Sequence, residues 1–210
     1  MEKKEILNSF KTVDAFGEYV KRSRRAYGMC EGAFGLIVFV GFMLMHLLLY
    51  RVAWYWIAYL GIIGTFLIAF FVNRFLARGV TSRIGEAKSW MNLYSNRIWS
   101  LAILGGVCLT TVTTSIPFVM EGALSNPVPL MCYILLGWFV ADGIGMGTTG
   151  IITGSRGDMI IGILLIVSAI PIALFALEHA FLLFGLIYGI GCMISGFSDY
   201  RSWLSEAKEG

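Results

Sequence analysis

The stretch VPLMCYILLGWFVADGIGMGTTGII, residues 128–152, contains a single charged residue, Asp142, and its length decides the fold. At 1.5 Å per residue, roughly 20 apolar residues cross about 30 Å of hydrocarbon as a helix. Pro127 and Pro129 stand at its start, where a helix tolerates a missing N–H. A helix satisfies its own backbone in lipid, which makes barrel strands a poor alternative for a run this long.

Outward from this segment, five more apolar runs have the same character: residues 32–50, 52–72, 98–119, 159–177 and 180–197, with Arg51 in the tight turn between the first two. The composition agrees, at 58% hydrophobic, 14% charged and a mean hydropathy of +0.78. Soluble domains carry about a quarter charged residues. The expected fold is therefore all-α and integral to a membrane, with six transmembrane helices as three hairpins.

The expected organisation is a cytoplasmic amphipathic segment (1–30), hairpin 1 (31–73), a cytoplasmic loop (74–97), hairpin 2 (98–152), hairpin 3 (158–199) and a cytoplasmic tail (200–210). Orientation follows from the basic residues. Of 16 Lys and Arg, only Arg51 falls on the opposite face from the rest, so the positive-inside rule places both termini in the cytoplasm of a cytoplasmic (inner) membrane. No cleavable signal peptide is expected, because residues 1–27 are polar and charged and no small-residue cleavage site follows the first run. Ile6, Leu7, Phe10, Val13, Phe16 and Tyr19 alternate with charges at near-helical spacing, which predicts an amphipathic helix on the inner surface. Residues 80–94 are a weaker second case.

Several functional classes are disfavoured. The net charge of +3 comes from short segments between apolar runs, without a basic and aromatic stripe suited to nucleic acid. Cys30, Cys108, Cys132 and Cys192 are widely spaced and read as packing residues. No Ser-His-Asp, paired-acid or HExxH arrangement is present, so no enzyme and no cofactor are expected.

Gly143, Gly145, Gly147 and Gly150 form the densest small-residue cluster, but no Gly-Lys-Ser/Thr follows as a phosphate loop requires. Gly143 with Gly147, Gly185 with Gly189 and Gly28 with Gly32 instead give small-xxx-small faces for close helix packing, and a homo-oligomer joined through them is expected. Hairpins 2 and 3 share a degenerate repeat. Gly105-Gly106 precedes Pro117 as Gly162 precedes Pro171, and the spacing from Gly137 to Gly143 equals that from Gly185 to Gly191.

Asp142 is the most informative residue, since a carboxylate within an apolar helix costs around 3 kcal/mol on insertion scales and calls for a partner or a wet cavity. Thr110, Thr113 and Thr114, or Arg156, are candidate partners. The choice is between a proton or cation relay and an acid that fixes packing. Glu31, Asn73, Asp158 and Asp199, within reach of Arg24, Arg25, Arg74 and Arg201, read as ordinary interfacial pairs that add little stability. On the outer side lie His46, Glu121, Glu178 and His179, a pH-sensing candidate because a free imidazole titrates near pH 6.5. As a metal site this set is poor, since only Glu178 and His179 are neighbours in sequence. Trp54, Trp56, Trp90, Trp99 and Trp203 read as membrane-interface anchors.

The basic lead-in KRSRRA at 21–26, the glycine and proline marks of hairpins 2 and 3, and LGWFVADGI at 136–144 together resemble the HdeD-like short-repeat membrane proteins. The first hairpin departs from the pattern, with no proline after Gly41 and a tight connection at Arg51. The resemblance implies a six-helix inner-membrane protein associated with acid stress, and carries no catalytic residues. Three functions are therefore weighed: a non-enzymatic stress-associated membrane protein, a small transporter or channel using Asp142 for an unidentified ion or small molecule, and a scaffold whose N-terminal helix recruits a cytoplasmic partner.

Overall fold

The computed structural model describes residues 24–52, 55–84, 88–115 and 127–209, and among them every extended element is a helix. In chain order these are α1 (Gly28–Leu47), a π-helical turn (Leu48–Val52), α2 (Tyr55–Ile84), α3 (Lys88–Thr114), α4 (Pro127–Thr153), α5 (Arg156–Phe175) and a 3₁₀ turn (Leu177–His179). The last rod joins α6 (Ala180–Phe184), a second π-helical segment (Gly185–Ile190) and α7 (Gly191–Glu209). Five helical stretches are long and apolar enough to cross a membrane, and α3 adds a shorter apolar stretch, Arg97–Val112. The expected N-terminal amphipathic helix lies outside the described residues, except for its last turn.

Neighbouring helices are antiparallel and held by small residues. On the α4–α5 pair, a Cβ on Gly162 would lie 2.6 Å from the Gly143 carbonyl oxygen and against the Gly147 backbone. The turn between these helices is short because Gly154 adopts φ 71°, where a side chain would be strained. Ser155 then caps α5 by accepting the Asp158 N–H at 3.3 Å. On the face between α1 and the last rod, Gly28 meets the Gly196 backbone, Gly32 the Phe197 ring, Gly189 the Phe39 backbone, and Gly185 Phe42. The three glycine pairs are thus spent on contacts within one chain. This corrects the expectation that they join copies: a glycine pair marks a face able to pack closely, and here intrachain neighbours occupy it.

The hairpin description needs a second correction. α1 packs on α2 and α3 on α4, but α5 packs chiefly on α4, while the last rod packs chiefly on α1. Hairpin 3 is therefore split, and its two arms join hairpins 1 and 2 into a four-helix core of α1, α4, α5 and the last rod, flanked by α2 and α3. The repeat contributes to this arrangement, because Gly143 and Gly191 meet Ile166 and Ile161, both on α5. Segment 74–97, expected as a loop, is helical wherever it is described, since α2 continues to Ile84 and α3 starts at Lys88. An apolar-window reading stops where charges begin, whereas a helix need not.

The core is filled by Val38, Phe42, Phe139, Leu165, Phe181 and Phe184, all almost fully buried. Large apolar side chains also cover the outside, among them Phe75 (74% exposed) on α2, Leu101 (70%) on α3 and Phe175 (86%) on α5. Water would not tolerate so continuous an apolar exterior, whereas lipid would. The helical, apolar architecture suits a multi-pass membrane protein.

Candidate functional site

Polar groups collect at three levels of the core. At the end where α1 and α5 begin and α7 finishes, Arg24 is only 8% exposed and Asp158 1%. Arg24 Nε donates to Asp158 Oδ2 at 3.1 Å, and its Nη2 donates to both carboxylate oxygens at 2.7 Å. Arg24 also pairs with Glu31 of α1, and its Nη1 lies 3.6 Å from Asp199 Oδ2 of α7. The Ser195 hydroxyl donates to Asp158 Oδ1 at 3.3 Å. Burial alone would disfavour the charge on Arg24, but Glu31, Asp158 and Asp199 outweigh it, and its pKa is raised. The expectation of weak interfacial pairs is corrected here: one guanidinium ties three helices together away from water. Arg25 with Glu206 is the kind of pair expected, with both side chains more than a third exposed.

At mid-depth, Asp142 is 6% exposed on α4. Two of its expected partners are placed elsewhere. The Thr110 hydroxyl donates to the Gly106 carbonyl of its own helix at 2.8 Å, and Arg156 is exposed at the helix end. The side chains of Thr113 and Thr114 lie outside the described residues. An open apolar groove between α3 and α4, lined by Ile98, Leu101, Gly105, Leu109, Ile144 and Thr148, does not include Asp142. The acid turns instead toward the last rod, within charge-interaction range of Tyr188 and Cys192.

At the opposite end, α1 and the 3₁₀ turn bring His46 and His179 together, with ring centroids 5.7 Å apart and an interplanar angle of 62°. Glu178 Oε1 lies 3.6 Å from His179 Nε2, and the His46 ring is 4.9 Å from that of Tyr50. Tyr50 sits in the first π-helical turn, 3.6 Å from Cys132 Sγ of α4. Thus three of the four residues of the pH-sensing set meet in space, while Glu121 lies outside the described residues.

Comparison with known protein families, characterised proteins and solved structures gives no match for this chain. Its functional reading therefore rests on the geometry alone. Sequence reasoning placed Glu31, Asp158 and Asp199 within reach of Arg24 but missed that they converge on it away from water, and it missed both π-helical segments. The network left a signal, since Glu31, Asp158 and Asp199 each stand close to the same end of an apolar run. The π segments have no comparable mark.

Proposed function

We propose that this chain is a non-enzymatic six-span membrane protein, with both termini cytoplasmic, whose outer face responds to acid. The observation that carries the reading is the His46–His179 contact, which bridges α1 and the turn between α5 and α6. Two imidazolium charges 5.7 Å apart repel by about 3 kcal/mol at an effective dielectric of about 20. Glu178, beside His179, offsets part of that repulsion. Tyr50 and, behind it, Cys132 also face the pair. With both imidazoles neutral the contact holds; with both protonated it is strained and the turn is pushed away from α1.

The test is hydrogen exchange of the protein in lipid nanodiscs across the imidazole range. Acidification is expected to raise exchange in residues 44–49 and 176–184 by about tenfold or more, as the repulsion implies. The His46→Gln/His179→Gln variant should lose that rise. A rise of equal size in the variant would remove the acid-response reading.

Asp142 favours a second reading, a small proton- or cation-coupled carrier, because it is a buried acid among lipid-spanning helices and the Thr110 hydroxyl donates to the carbonyl of its own helix.

A further inference from the structure

We propose that the Asp142 carboxyl is an intramembrane proton-binding site, in exchange with the Arg24 end of the bundle through Tyr188 and the acids that hold Arg24, and closed toward the histidine end by phenylalanines. This rests on the carrier reading and is independent of the histidine contact.

The first observation is the acid itself. Among the described residues Asp142 has neither a hydrogen bond nor an ion pair, although it is 6% exposed. A buried acid retained for packing is ordinarily bonded, and an unbonded one calls for another explanation.

The second is its placement. α4 and the last rod run side by side in the same direction, and Phe139 meets Phe184 with centroids 4.9 Å apart. About one helical turn further along come Asp142 and Tyr188, the latter 3% exposed and also without a hydrogen bond among the described residues. The Tyr188 ring also meets that of Phe34 at 5.8 Å, one turn of α1 from Glu31, which sets it on the side of Asp142 nearer the Arg24 network. On α4, Thr149 lies two turns beyond Asp142 on the same stripe, and its buried hydroxyl has no partner among the described residues. Cys192 is another titratable group near Asp142, and from α5 Gly162 and Ile166 lie against the adjacent Gly143.

The third is the asymmetry of the core. Toward the histidines, Phe42 stacks on Phe181 at 6.0 Å and meets Phe184 tilted at 4.7 Å, leaving a fully buried aromatic barrier with no polar side chain among its members. Toward Arg24 the core mixes Met146 and Ile161 with Tyr188, Cys192 and Thr149 before it reaches Asp158. Tyr188 itself rides on the π-helical segment Gly185–Ile190, a backbone form that recurs at functional sites. A metal cation would require several oxygens around it. Asp142 and Tyr188 offer too few, whereas a proton needs one.

Dicyclohexylcarbodiimide tests the site, since it reacts with protonated carboxyls in apolar surroundings. The acid proton passes to a carbodiimide nitrogen and the carboxyl oxygen bonds the central carbon. An acyl shift to nitrogen then gives a stable N-acylurea, with no leaving group. In sealed proteoliposomes of fixed orientation, mass spectrometry is expected to find the adduct on Asp142. It should form faster when the Arg24 side is acidified and at an unchanged rate when only the histidine side is. Asp142→Asn should lose the adduct, and Tyr188→Phe should lose the pH response while keeping the wild-type melting profile. His46→Gln/His179→Gln should label as wild type, which keeps this test separate from the acid-response one. An unlabelled Asp142 in folded protein, acceleration from the histidine side, or protection by sodium ions would each overturn the proposal.

Discussion

Arg24→Met is expected to destabilise the bundle by about 3–5 kcal/mol, because it strips the counter-charge from a buried carboxylate. Asp158, 1% exposed, would keep the Ser195 hydroxyl as a donor to its carboxylate, with the acids Glu31 and Asp199 nearby. The carboxylates would gain no solvent in exchange. Arg25→Met serves as the control, since its pair with Glu206 is well exposed and pairs of that kind contribute about 1 kcal/mol or less. Adding Asp158→Asn to Arg24→Met should restore part of the loss by removing the orphaned charge. Reversible unfolding in mixed micelles, followed by circular dichroism, measures all three. Equal stability of Arg24→Met and Arg25→Met would mean that the network is solvated and contributes little.

Gly162→Ala is the second large effect, expected at about 1–3 kcal/mol or more of destabilisation by overpacking. Its added Cβ would meet the Gly143 carbonyl oxygen and the backbone of Gly147, and backbone cannot rotate aside as a side chain can. The helices must separate, and the dispersion contacts that hold helices together in lipid weaken along the whole α4–α5 face. Gly105→Ala on α3 makes the contrast, because nothing lies within 4 Å of its added Cβ. That change should be neutral or stabilising by up to about 1 kcal/mol, the difference in helix propensity. Similar melting of the two variants would contradict the packing described.

What was legible in the sequence follows from which constraint is local. Hydrocarbon thickness acts on each helix separately, so the apolar runs announce themselves, as 128–152 does. The small faces at Gly28, Gly143 and Gly185 are visible for the same reason, since they are patterns on one helix. Their partners are not local. Nothing in the Gly143–Gly147 spacing says that Gly162 of the same chain fills it. The Arg24 network is less local still. It requires the ends of α1, α5 and α7 to converge, and only then does an arginine outside the apolar runs become buried. His46 and His179 were grouped because both lie toward the outer ends of their runs, a matter of depth. That they touch depends on the split third hairpin, which no spacing encodes. Asp142 was identified by its cost in lipid, while Tyr188 passed as one more aromatic because its importance depends on standing beside that acid.

The account places the Arg24 network and the histidine contact on opposite sides of a membrane, and one labelling experiment tests that directly. With Cys108→Ala as background, Glu178→Cys and Ser205→Cys are each treated with a membrane-impermeant maleimide in intact and in permeabilised cells. Cysteine at 178 should be labelled in intact cells, and cysteine at 205 only after permeabilisation. Labelling of both from the same side would contradict the account.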